Sequence, residues 1–215
     1  MDRDDPTRWL DLPVPAQPHP YLATMARFTN APEHGPRRRA VLDVLPSPDG
    51  LEAAARERTE TLLHDRLDVM PVLMSVPVSV LADRMGCADV GAEISLLCDE
   101  GVVSEGLPDV ARTSILFQCR DATAALAAIG LTEAVTLESA VPVLRTRRDG
   151  VGWVPLTRAP FGAGDHACPG RLHALALARG MLAALAGHEV VDEGHDLGRP
   201  NLRLPAYLYM QRRAR

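Results

Sequence analysis

Lysine is absent from this chain, so all 23 basic residues are arginine, and 28 acids outweigh them to a formal net charge of −5. That balance argues against a general nucleic-acid surface. Aromatic residues are scarce at 4%, against 47% hydrophobic residues in all, so the core must be built mainly from Leu, Val and Ala. The four cysteines, Cys87, Cys98, Cys119 and Cys168, show no C-x-x-C spacing, which indicates neither a zinc site nor a disulfide framework. No apolar run is long enough to span a bilayer, and the longest, 70–82, is interrupted by Pro71 and Pro77. The first five residues, MDRDD, are acidic and polar and lack the features of a signal peptide. A cytoplasmic protein is expected, with no membrane and no nucleic-acid partner. A length of 215 residues allows one large domain or two small ones.

Local patterning predicts a mostly α fold with a minor β component. Residues 1–32 are proline-rich and read as an extended N-terminal segment with one short helix near 21–28. Pro36 fits the first turn of a helix running through Leu42. Residues 46–50 (PSPDG) form a turn, 51–67 has helical composition, and 70–85 reads as an apolar helix stopped by Gly86. Short helices punctuated by glycine fill 87–109. Ile115, Cys119, Ala122, Leu126 and Ile129 recur at helical steps, which predicts a helix over 111–129 ended by Gly130. Strands are expected at 141–147, 151–156 and 202–210, and an Ala/Leu helix over 171–185. His64, His188 and His195 have no clustered partners and are expected on the surface, and His173, about a turn past Cys168, is expected on the helix surface rather than against a ligand held by that cysteine.

The most informative stretch, FGAGDHACPG at 161–170, opens that last helix. Gly162 and Gly164 carry no Cβ, so the backbone can turn tightly and lie close to a flat ligand. Cys168 is a soft anionic ligand once deprotonated, and Gly170 leaves room beside it. The helix N-terminus behind the cysteine offers unpaired N–H groups and positive dipole, both favourable to a thiolate. Such a loop presents a thiolate to an iron.

The pattern F-G-x-G-x-H-x-C-x-G resembles the haem-binding loop of the cytochrome P-450 (haem-thiolate monooxygenase) family. Pro32, Glu33, His34 and Arg38 are similar to that family's P-E-H-x-x-x-R signature. The four-residue spacing puts His34 and Arg38 on one helix face. Residues 142–148 (PVLRTRR) resemble the strand whose arginine completes the haem propionate clamp. Strand alternation puts Arg145 and Arg147 on one face, and Arg147 is favoured over Arg145 and Arg148. The resemblance implies haem b with Cys168 as axial iron ligand. It also implies His34, Arg38, Arg147 and His166 on the propionates, Phe161 over the sulfur, and Gly162 and Gly170 close to the ring. In domain terms it implies a proline-rich segment at 1–32 followed by a single shortened haem domain at 33–215.

Departures from the family pattern define the rest of the expectation. Residues 115–123 stand where the family keeps its oxygen-activating A-G-x-[D/E]-T helix. Asp121 matches the acid and is the candidate catalytic residue, Ala122 replaces the threonine, and Thr123 is one residue, or about 100°, out of step. No glutamate is followed three residues later by arginine, so the family's E-x-x-R pair is missing. The implied activity is an atypical haem-thiolate oxidation of a small-molecule substrate, fed by a redox partner or by peroxide, or other haem chemistry that needs no oxygen activation. The alternative is a non-catalytic auxiliary protein that stabilises a partner enzyme. A chain this reduced is expected either to form a homodimer over the distal face of the haem or to cover it with residues 1–32.

Overall fold

The computed structural model describes residues 6–64, 66–87, 89–195 and 201–214. The apolar stripes of the sequence form α1 (His34–Val44), α2 (Leu51–Leu62), α3 (Met70–Arg84), α4 (Gly91–Glu100), α5 (Val110–Thr132) and α6 (Arg171–Leu185). Short strands β1 (Arg66–Asp68), β2 (Arg145–Arg148), β3 (Gly152–Pro155), β4 (His188–His195) and β5 (Pro205–Arg212) complete a mostly α fold with a minor β part. As the composition predicts, the core is aliphatic. Leu51, Leu73, Leu81, Leu116, Leu126, Leu177 and Met181 are fully enclosed where α2, α3, α5 and α6 meet. At Gly180, α6 crosses tightly over α2. A Cβ at Gly180 would collide with the Glu52 carbonyl oxygen and lie 2.9 Å from both the Ala55 Cβ and the Arg56 nitrogen. Asp109 starts α5 by accepting from the N–H groups of Ala111 and Arg112 at 3.0 and 3.1 Å, a cap worth about 1 kcal/mol.

The strands lie in two antiparallel groups, β1-β5-β4 and β2-β3. In the first, Met210 of β5 faces Leu67 on one side and Val190 on the other. In the second, Arg147 sits opposite Trp153 and Thr146 opposite Val154. No helix among the described residues is long and apolar enough to cross a membrane.

Several local expectations give way to long-range contacts. The helix predicted over 51–67 stops at Leu62, and 66–68 pairs with β5 instead. The Asp68 carboxylate accepts from the nearby Met70 N–H and from the N–H of Leu208, a partner that only the far end of the chain can supply. Residues 188–195 become a strand because β5 offers it a ladder. The short helix near 21–28 is two 3-10 turns, Leu22–Thr24 and Ala26–Phe28. Gly130 does not end α5. It lies inside the helix, where a Cβ would meet the Leu182 Cδ1 at 2.8 Å. His173 and His188, expected on the surface, are each only 7% exposed, whereas His64 is exposed as expected. The His195 side chain and residues 1–5 lie outside the described residues.

Candidate functional site

The loop before α6 folds back on itself. The Cys168 N–H donates to the Phe161 carbonyl at 2.7 Å, and Gly162 (φ 72°) and Gly164 (φ 58°) supply left-handed turns. Gly170 forms the N-cap of α6, and a Cβ there would stand 4.0 Å from the Cys168 sulfur. The Cys168 side chain opens into a cavity of about 500 Å³ bounded by this loop, α1, α5, the β2-β3 hairpin and the N-terminal segment. Cys168 is solvent-accessible through the open cavity, and the protein packed around it still pushes the thiol up from its ordinary value by desolvation. The Gly170 N–H and the charges of Arg27 and Arg38 pull the other way. Desolvation outweighs the helix end, so the expected thiolate needs a further positive partner.

Most of the residues singled out from the sequence come together here. His34, Arg38, Arg147, Phe161, Gly162, His166, Cys168 and Gly170 all border the cavity. Their roles differ in detail. His34 is buried, with Nδ1 3.0 Å from the Ala26 carbonyl oxygen and Nε2 3.0 Å from that of Asp165. Both carbonyls can only accept, so a neutral ring donates to one of them according to its tautomer, and either way His34 sits between the start of α1 and the cysteine loop. His166 stacks on His34 with 4.1 Å between centroids. Burial, followed by the charges of His34 and Arg148, pushes His166 down to about 4. Arg38 has no carboxylate partner among the described residues and borders the cavity. Phe161 is half-buried, with the Arg171 guanidinium 5.4 Å from its ring centroid.

The strand arginine turned inward is Arg148 rather than Arg147. Arg147 lies on the exposed face of β2, while Arg148 is 5% exposed and shares a face with the buried Val154. Its Nε donates to the Leu10 carbonyl at 3.0 Å and its Nη1 to Thr146 Oγ1 at 2.9 Å. Sequence reasoning weighed Arg148 and passed it over. Pairing β2 with β3 is the signal that finds it, because Val154 then marks the inner face.

On the opposite wall, α5 turns Ser114, Gln118, Ala122 and Thr123 toward the cavity. Thr123 was expected to be rotated away, yet the cavity wraps far enough around α5 for both neighbours to border it. Asp121, the expected acid, does not line it. Its carboxylate binds the Arg120 guanidinium at 3.0 Å, and the same guanidinium holds Asp99 of α4 at 2.9 and 2.7 Å. Arg120 thereby ties α5 to α4, and Asp121 supports its guanidinium from the same helix. His173 of α6 also borders the cavity. Its Nε2 donates to the Pro46 carbonyl at 2.6 Å, leaving a buried Nδ1 with no partner among the described residues.

Part of the N-terminal segment forms a strap over the cavity, with Leu10, Val14 and Gln17 in the lining. Asn30 pins it from both sides. Its Oδ1 accepts from the Val14 N–H at 2.7 Å, and its Nδ2 donates to the Val14 carbonyl at 2.8 Å. Leu10 is buried against Val154 and Leu156, and the Pro13 carbonyl accepts from the Asp149 N–H. Further along, His19 Nε2 donates to the Gly101 carbonyl at 2.8 Å.

The donor set fits a haem. One soft thiol stands at the cavity floor beside a glycine that leaves its sulfur uncovered. Leu81, Ile115, Leu126 and Leu177 supply apolar wall, and Arg38, Arg148 and His166 supply partners for carboxylates.

Comparison with known proteins agrees with this geometry. No protein-family pattern matches the sequence and no curated protein is similar to it. Solved structures do match. A thermophilic cytochrome P-450 from Sulfolobus tokodaii superposes with a TM-score of 0.64 at 17% identity, covering 98% of this chain and 83% of that one. A versatile cytochrome P-450 from Bacillus subtilis gives a TM-score of 0.64 at 12% identity, over 98% of this chain and 100% of that one. The cytochrome P-450 BioI, in complex with an acyl carrier protein bearing hexadec-9Z-enoic acid, gives 0.65 at 13% identity, over 94% and 88%. The chain has a cytochrome P-450 fold.

Proposed function

We propose that this chain is a cytoplasmic haem-thiolate oxidoreductase acting on a small molecule. The observation that carries the reading is the placement of Cys168. Its sulfur opens from the N-terminus of α6 into a cavity walled by aliphatic side chains and edged by cations. Haem bound there would supply redox chemistry at iron, made electron-rich by the thiolate. Cys168 would hold the iron, Arg38 and Arg148 the propionates, and the Gly170 N–H the sulfur. His34 would position the loop through its two backbone contacts. Ligation requires the Cys168 proton to leave, and the metal's charge would offset the desolvation that now retains it.

The chain's own residues argue for atypical chemistry. Asp121 is committed to Arg120, Ala122 has no hydroxyl, and the polar groups that α5 turns to the cavity are neutral. A conventional acid–alcohol relay for protons is therefore missing, which supports a peroxide-fed oxidation over a hydroxylation fed by a redox partner. The same observation supports a second reading, an auxiliary protein that keeps the fold and stabilises a partner enzyme. A carrier-bound substrate, as in the BioI complex, is compatible with either. The strap supports covering of the cavity by the chain itself over homodimer formation.

The reduced, carbon monoxide-treated spectrum of haem-reconstituted protein tests the reading. A thiolate-type Soret band, lost in Cys168→Ala, is the expected result. Haem uptake with a neutral-ligand band would remove the thiolate ligation and point to other haem chemistry, and no uptake would favour the auxiliary protein.

A further inference from the structure

The charge lining the cavity runs against the charge of the chain. The formal net charge is −5, yet the described residues bordering the cavity include Arg27, Arg38, Arg145, Arg147 and Arg148 and no Asp or Glu. Like charges held this close in a partly desolvated space repel one another. Burial, and then the charge of Arg27, already loosens the proton of Arg148. An anionic occupant relieves that repulsion. Two haem propionates would meet Arg38 and Arg148 beside His166 and leave Arg145 and Arg147 unbalanced.

Arg145 and Arg147 also border the cavity, and they project from the outer face of the β2-β3 hairpin, opposite to Arg148. Register and alternation put Arg145 and Arg147 on one face with Trp153 and Pro155. The Arg145 guanidinium lies 4.6 Å from the Trp153 ring centroid, and Trp153 is 51% exposed, an unusual position for one of only two tryptophans. Stacking fixes the plane of the guanidinium and leaves its edge N–H groups open. Neither Arg145 nor Arg147 has a carboxylate partner among the described residues. Asn201 holds the hairpin in place by donating to the Arg145 carbonyl at 2.7 Å. Pro142 and Val143, just before Arg145 in the chain, add apolar surface to the same cavity lining.

We propose that this face of the hairpin binds an amphiphilic organic acid, with its carboxylate on Arg145 and Arg147 and its apolar body along Pro142, Val143 and the strap. A planar fork suits a carboxylate, and an apolar channel beside it suits a hydrocarbon or ring. The inference rests on the haem-thiolate reading only for which arginines are left free. It names the class of substrate that the oxidation would act on.

Isothermal titration of the haem-loaded full chain with decanoate, 1-decanol and decylamine tests it. Decanoate is expected to bind at least about tenfold tighter than 1-decanol, with decylamine weakest. Arg147→Gln should weaken decanoate about threefold to tenfold, and the double change with Arg145→Gln further, while 1-decanol binding and the Soret band stay as they are. Arg147 has no side-chain hydrogen bond among the described residues, so its single variant decides the matter should Arg145→Gln disturb the hairpin. Equal affinity for decanoate and 1-decanol, or decanoate binding untouched by Arg147→Gln and the double variant, overturns the proposal. Titrating the haem-free chain separates the two readings. A protein that takes up no haem, yet prefers decanoate through these arginines, sinks the haem assignment and retains the acid-binding face.

Discussion

Replacing Gly180 by alanine should destabilise the protein, although the same change in an open helix would stabilise it. Glycine inside a helix costs about 0.5–1 kcal/mol relative to alanine, so helix propensity alone favours the substitution. Packing opposes it. The added methyl would collide with the Glu52 carbonyl and crowd the Arg56 nitrogen, and these are backbone atoms of α2 that cannot rotate aside. Overpacking of this kind costs about 1–3 kcal/mol or more, because the helices must separate. A net loss of about 1–2 kcal/mol is expected, which for a chain of this size lowers Tm by about 2–8 °C. Haem affinity should fall with it, since α6 carries the cysteine loop at its start. Gly187 is the control. A Cβ there meets nothing within 4 Å, so Gly187→Ala should change stability by no more than about 0.5 kcal/mol. Thermal unfolding followed by circular dichroism measures both. A Gly180→Ala protein that melts at or above the wild type would refute the packing reasoning.

Two further outcomes follow from the site. His166 sits at about 4 in the folded chain, against about 6.5 when unfolded. Between those values the unfolded chain takes up a proton that the folded chain refuses, so stability of the haem-free protein should fall as pH drops from about 6.5 toward about 4. His166→Gln should flatten that slope in urea titrations, and an unchanged slope would show that other groups carry it. Asn30→Ala removes both hydrogen bonds to Val14, a loss of about 1–2 kcal/mol localised to the strap. Limited proteolysis should then cut within 11–20 well before the wild type is cut there. Equal cleavage rates would mean that the strap is held by other contacts.

Legibility in the sequence followed the range of the interactions involved. The cysteine loop is a local structure, set by Gly162, Gly164 and the helix that follows, and it stands where its residues imply. The four-residue spacing of His34 and Arg38 likewise brings both to the cavity. The occupation of His34 by the Asp165 carbonyl was hidden, because that contact joins residues 131 positions apart. The same holds for Arg148, whose inward turn depends on Leu10 and on the pairing of β2 with β3. Asp121 was misjudged for a related reason. Its partner, Arg120, is its sequence neighbour, but it is Asp99 on α4 that draws the guanidinium to that side of the helix. Strands β1 and β4 had no signal of their own, because β5 lies at the far end of the chain from β1 and both depend on its ladder.

The span between Leu10 and Arg148, 138 positions along the chain, also sets an order of events during synthesis. At about 5–20 residues per second, the strap leaves the ribosome on the order of ten seconds before Arg148 and Cys168 are made. Throughout that interval Leu10 and Val14 have neither the hairpin nor the cysteine loop to cover them. On the haem-thiolate reading, cofactor capture would be a late step, because Cys168 is made only after the strap and α1 to α5. A ribosome that stalls before Cys168 releases a chain with a roof and no floor, one that chaperones and proteases would meet as exposed apolar sequence.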